Sequence, residues 1–196
     1  MPIEKGSSYG SPGTPLPPDG VVAGSDAEAR RVLESARRDG RAFPPLGLAG
    51  GDLCRTLGGP GALDLAFRVD LGEVLVDGRL HLFVAHLVAR TRLWGYAFCA
   101  MNAQWLGRWN LGPRAHPNDG LLDTYEATLG VADLLRVRAR LGLGAHLPHP
   151  GIKERRGAAV QVTLPRVLPV VLDGETVGAG RVLSTRVEPD ALTVWV

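Results

Sequence analysis

From Leu63 to the C terminus the chain is a succession of short apolar runs separated by Gly, Pro and Asp-Gly pairs, and this punctuation constrains the fold more than any other feature. Ala66 to Val76 and Leu80 to Ala89 flank Asp77-Gly78, a dipeptide that adopts the positive φ angles of a two-residue hairpin turn at low cost. Leu93 to Met101 is another apolar run, rich in aromatics, and Leu121 to Leu129 alternates like a half-buried strand. Four more strand candidates close the chain, at Ala159 to Leu164, Val167 to Leu172, Arg181 to Val187 and Ala191 to Val196, with Asp173-Gly174 between the second and third. Many short strands divided by turn residues argue for a β-sandwich. One helix is expected in this half, Val131 to Leu141, with Val131, Leu134, Leu135 and Leu141 apolar and Arg136, Arg138 and Arg140 mostly outward.

The N-terminal part has a different rhythm. The first 20 residues contain four Gly and five Pro with almost nothing to bury, so residues 1–19 are expected to form a mobile tail. Val21 to Ala23 reads as a short strand and Asp26 to Asp39 as a helix with Ala29, Val32, Leu33 and Ala36 on one face. Ser25 and Glu28 have the spacing of a capping box, and Gly40 supplies the stop. Leu46 to Leu48 reads as a second strand, followed by the turn Ala49-Gly50-Gly51-Asp52 and a brief helix from Leu53 to Leu57. This unit, residues 20–61, is too small to hold a core by itself.

Bulk composition narrows the function classes. A net charge of +2 gives no case for a nucleic-acid partner. Cys54 and Cys99 form no CxxC pair, so neither a zinc knuckle nor a disulfide framework is indicated. The start lacks an apolar signal region and no apolar run approaches a membrane span, which gives the expectation of a soluble cytoplasmic protein. The five histidines offer little: His81 and His86 lie five apart on a probable strand and face opposite sides, and His146 and His149 flank Pro148 in a loop.

The acidic turns carry more information when taken in order. "PPLGLAGGDLCRTLGG" (44 to 59), "AHPNDGLLDTYEA" (115 to 127), "HLPHPGIKERRGAAVQVTLP" (146 to 165), "LPVVLDGETVG" (168 to 178) and "VEPDALTVWV" (187 to 196) together resemble the diacylglycerol kinase-like lipid kinases. That family includes bacterial diacylglycerol kinases and sphingosine kinase relatives. The resemblance spans about residues 20 to 196 and implies an α+β fold: a reduced α/β nucleotide-type lobe (20–61) joined to a larger β-sandwich lobe (62–196), as in diacylglycerol kinases and NAD kinases.

By the same resemblance, Gly24, Asp26, Gly50, Gly51 and Asp52 take the positions of the family's nucleotide-binding loops. Those loops are degenerate here. The family pattern Gly-Gly-Asp-Gly-Thr is matched by Gly24 and Asp26 but not by Ser25, Ala27 and Glu28, which bring side chains and a negative charge toward a polyphosphate. Asp173 corresponds to the base that deprotonates the lipid hydroxyl, expected in a cleft facing Asp52 and the Gly24–Asp26 turn. Asp119 corresponds to a carboxylate near a magnesium site.

The resemblance therefore implies ATP and Mg²⁺ as cofactors and a lipid hydroxyl as acceptor, with the degenerate loops pointing to lost or weakened catalysis, a pseudokinase. Two alternatives stand beside this: an active lipid kinase completed by a partner subunit, and a non-catalytic lipid- or protein-binding module; a homo-oligomer is a further expectation. Arg136, Arg138 and Arg140, with Lys153, Arg155 and Arg156, form a candidate basic face for an anionic membrane surface.

Overall fold

The structure of the protein, a computed structural model, describes residues 9–196. In the N-terminal unit, strand Val21–Ala23, helix α1 (Asp26–Arg38), strand Leu46–Leu48 and helix α2 (Asp52–Thr56) follow one another as the sequence predicts. The two strands pair in parallel, Val21 with Leu46 and Ala23 with Leu48. Helix α1 turns Ala29, Leu33 and Ala36 into the core. Its N terminus carries the expected box: the Ser25 hydroxyl accepts the Glu28 amide at 3.3 Å, and the Glu28 carboxylate reaches back to the Gly24 amide at 2.7 Å.

This small unit is stabilised by being annexed. Leu46–Leu48 also pairs in parallel with the last strand of the chain, Val194 opposite Leu46 and Trp195 opposite Gly47. Leu33, Leu46, Leu48 and Leu53 then share one buried cluster with Val69, Leu71, Leu82 and Val194 from the other lobe. The sheet and this core run without interruption from one lobe into the other.

In the larger lobe, strands Leu65–Val76 and Arg79–Phe83 meet at Asp77-Gly78, whose φ angles of 46° and 86° are those of the expected tight turn. Hydrogen bonding runs from Leu65–Val76 through Glu175–Trp195, Ala159–Leu172, His86–Arg90, Tyr96–Met101 and Leu122–Thr128 to Ile152–Gly157. Strands far apart on this path meet again in the interior: Val74, Phe83, Phe98, Leu122, Leu164 and Leu183 lie in one cluster. The sheet is thus wrapped onto itself as a β-sandwich, with helix α3 (Val131–Leu141) packed outside it through Val137 and Leu141.

Three expectations change. The four closing strands are two long ones, Ala159–Leu172 and Glu175–Trp195, hinged at register shifts between Thr163 and Leu168 and between Glu188 and Leu192. Pro165 and Pro189 stand inside those shifts, where a missing N–H interrupts the ladder without ending the strand. The run Leu80 to Ala89 is split, with its break at Val84-Ala85 between Phe83 and His86. The tail is the third. Residues 1–8 lie outside the described residues, but 9–16 are hydrogen-bonded to the sandwich lobe: Ser11–Pro12 pairs with Leu65–Ala66, the Tyr9 hydroxyl donates to the Arg68 carbonyl, and the Trp195 indole donates to the Thr14 carbonyl. Aromatic contact explains the correction, since Tyr9 stacks 4.9 Å from Phe67.

Candidate functional site

The break at Val84-Ala85 is where the site begins. It aims three successive backbone amides, those of Val84, Ala85 and His86, at the Asp173 carboxylate, which accepts them at 2.9, 2.9 and 3.1 Å. Asp173 occupies the first turn position of the hairpin between the two longest strands, with φ of 51°, and its side chain has no exposed surface. It does not turn toward solvent. Arg30 of α1 lies across from it, Nε 4.0 Å from Oδ2, while its other nitrogens bind Glu34 at 3.2 Å and Glu175 at 2.6 Å.

Asp26 makes a second cradle. Its carboxylate accepts the amides of Asp52 and Leu53, at 2.5 and 3.1 Å, and so takes the N terminus of α2. The close approach explains the glycines. Gly51 has φ of 101°, and a Cβ there would stand 2.5 Å from Asp26 Oδ1; one on Gly50 would stand 2.6 Å from the Gly24 carbonyl. Asp52 in turn accepts from the Gly107 amide at 2.8 Å and bonds His86 Nε2 at 2.9 Å. Asp26, Asp52 and His86 each present a ligand-type atom within 4.8 Å of the others.

Charge crowding sets the protonation states. Burial, then the charge of Asp173, pushes Asp26 up to about 7 despite its two amide bonds. Burial also raises Asp173, against the opposing pull of His86 and the three amides. For His86, burial favours the neutral ring, but its hydrogen bond to the accepting Asp52 carboxylate and the charges of Asp173, Asp52 and Asp26 outweigh burial and raise its pKa. Asp52 goes down, because His86 and the Gly107 amide outweigh its burial.

The structure thus brings Gly24, Asp26, Gly50, Gly51, Asp52 and Asp173 around one junction between the lobes. It sets Asp119 in a different cluster. There Asp119 is ion-paired with Arg156 and accepts the Leu121 amide at 3.0 Å, beside Asp123 and beside Asp70, which burial, aided by the charge of Asp119, pushes up to about 6. Sequence reasoning missed His86 and Arg30. His86 had a legible signal, a polar residue inside the apolar run LHLFVAHLVA; Arg30 had none, since an arginine on an amphipathic helix reads as solvated.

A third feature is a small apolar cavity between α3 and the outer strands, about 50 Å³ and partly open to solvent, lined by Cys99, Trp109, Leu111, Val137 and Leu141 among others. Two buried polar side chains also line it. The Tyr125 hydroxyl has no hydrogen-bond partner among the described residues, and burial holds His146 toward its neutral form.

Comparison with known proteins agrees with this architecture. Residues 65–196 match the YegS C-terminal NAD kinase beta sandwich-like domain. The chain belongs to this family. The diacylglycerol kinase-like resemblance read from the sequence therefore holds. A solved structure of a diacylglycerol kinase from Bacillus anthracis str. Sterne is 16% identical with a TM-score of 0.60, over 90% of this chain and 75% of that one. A candidate diacylglycerol kinase from the same organism is 14% identical with a TM-score of 0.65, over 90% and 77%. These likenesses concern the fold. No curated protein matches the sequence. Among the described residues of this diacylglycerol kinase-like chain, no helix is long and apolar enough to cross a membrane.

Proposed function

We propose that this member of the diacylglycerol kinase-like family has lost phosphoryl transfer and keeps the binding of an apolar, lipid-type ligand. One observation carries the first half: the backbone amides suited to phosphate oxygens are taken by the chain's own carboxylates. Glu28 holds the Gly24 amide, Asp26 holds those of Asp52 and Leu53, and Asp173 holds those of Val84 to His86. A polyphosphate would have to displace carboxyl groups already bonded at these positions and meet the charge of Asp52, whose pKa is lowered. The residues present do not fit ATP.

They do not fit the implied magnesium at Asp119 either, because the Arg156 guanidinium occupies that carboxylate. Asp173 is enclosed and bonded through both oxygens, so no lipid hydroxyl comes within reach of it as a base. Its present work is to bond the broken strand to the hairpin.

The cavity under α3 supports the second half. Its walls are apolar and it opens to solvent, the surroundings an acyl chain end prefers to water. A glycerolipid that inserts the end of one acyl chain from the open side matches these features. The test uses dioctanoylglycerol as probe. Calorimetry should detect binding that Ala97→Phe, which fills the cavity, abolishes, and radiolabelled ATP should transfer no phosphate to the probe. Transfer above the no-protein background would refute the reading, as would absence of lipid binding by the native chain.

A further inference from the structure

The outward side of α3 has a composition its packing does not require. Val137 and Leu141 already seat the helix on the sandwich, yet Val131 is 79% exposed and Leu135 64%. At helical spacing Val131, Leu135 and Ala139 form one strip, with Ala132 beside it, all exposed. Arg138 lies to one side of that strip and Arg136 and Arg140 to the other. Just beyond the helix Leu143 is 84% exposed.

The strip continues onto the neighbouring turn. The Arg138 guanidinium sits 5.5 Å over the Trp109 ring, Trp109 packs edge-on against Trp94 at 5.4 Å, and Leu93, next to Trp94, is 77% exposed. Arg90 stacks on Trp94 at 4.6 Å and Arg92 is exposed beside it. Leucines projecting between arginines, with tryptophans half-buried at their base, match the layered polarity of a lipid headgroup region. The only carboxylate on the helix, Asp133, is paired with Arg136 at 3.0 Å. An acidic protein surface would match the arginines but leave the leucines against polar groups.

We propose that the outer face of α3, with Leu93 and Leu143, docks on an anionic membrane surface. Arg138 and Trp94 also line the apolar cavity, so docking sets the cavity's rim against the bilayer. The proposal rests on the apolar-ligand reading only for this direction of entry.

The experiment is flotation of the full chain with vesicles of phosphatidylcholine alone or mixed equally with phosphatidylglycerol. Binding is expected to the mixed vesicles and to fall steeply at high salt. Each basic side chain near an anionic surface is worth about fivefold in affinity, so Arg136→Gln/Arg140→Gln should weaken binding roughly 25-fold. Leu135→Glu/Leu143→Glu should abolish it while leaving dioctanoylglycerol binding in solution intact, which also shows that the variant is folded. Failure of the native chain to float, or equal flotation of the Leu135→Glu/Leu143→Glu variant, overturns the proposal. A native dimer that this variant dissolves, without flotation, overturns it in favour of contact between copies. If vesicles bind but dioctanoylglycerol does not, the docking face stands and the pocket reading falls.

Discussion

Replacing Asp173 tests whether its carboxylate is structural. Asp173→Ala strips the acceptor from three buried amides, 2.9 to 3.1 Å away. A buried amide left unpaired costs about 1–3 kcal/mol, which sets a range of roughly 3–9 kcal/mol. Two effects shrink it. Loss of the charge relieves its repulsion with Asp26, and water can enter the vacated space. The expected net loss is about 3–5 kcal/mol, the usual cost of removing one member of a buried charged group. Alanine is also strained at φ of 51°, so a control is needed. Asp77→Ala provides it: the same Asp-Gly turn, φ of 46°, but exposed and with only long contacts of 3.4 and 3.5 Å to Arg181 and Val182. It should cost about 1 kcal/mol. Urea melts of both variants measure the difference. Equal losses would refute the cradle.

The pH dependence follows from the same junction. Asp26, raised from 3.8 to about 7, holds its proton more tightly folded than unfolded, so its contribution is full below pH 4 and is lost as pH rises toward 7. His86, also raised, loses its contribution in the same direction. The melting temperature should fall from about pH 5 to about pH 8, and less so in Asp26→Asn; a rise over that window, or an unchanged slope in the variant, contradicts the assignment. At the start of α1, Ser25→Ala should cost about 1 kcal/mol in denaturant melts and Ser25→Gly only a few tenths, and equal losses would count against the cap.

Local signals carried most of the fold. Ser25, Glu28 and Gly40 bound α1, and Asp77-Gly78 and Asp173-Gly174 place hairpins, because caps and turns depend on a few neighbouring residues. What escaped was set by distant partners. Pro165 and Pro189 read as strand ends and are bulges, since neighbours on both sides keep the strands aligned. Tyr9 read as part of a tail because Phe67 is far along the chain. The site was half legible. Its carboxylates were named from sequence, but the amides they hold at Val84 to His86 appear only where a strand breaks in space.

The backbone amides of Gly24, Asp52, Leu53 and Val84 to His86 are already bonded to carboxyl groups of the chain, which leaves them closed to a nucleotide's phosphates under the proposed loss of phosphoryl transfer. Titration of the protein with ATP and Mg²⁺ in a calorimeter tests it most directly. The expected dissociation constant is weaker than about 1 mM, about 4 kcal/mol of binding free energy or less. Saturable binding in the micromolar range, lost when Asp26 or Gly24 is altered, would contradict it.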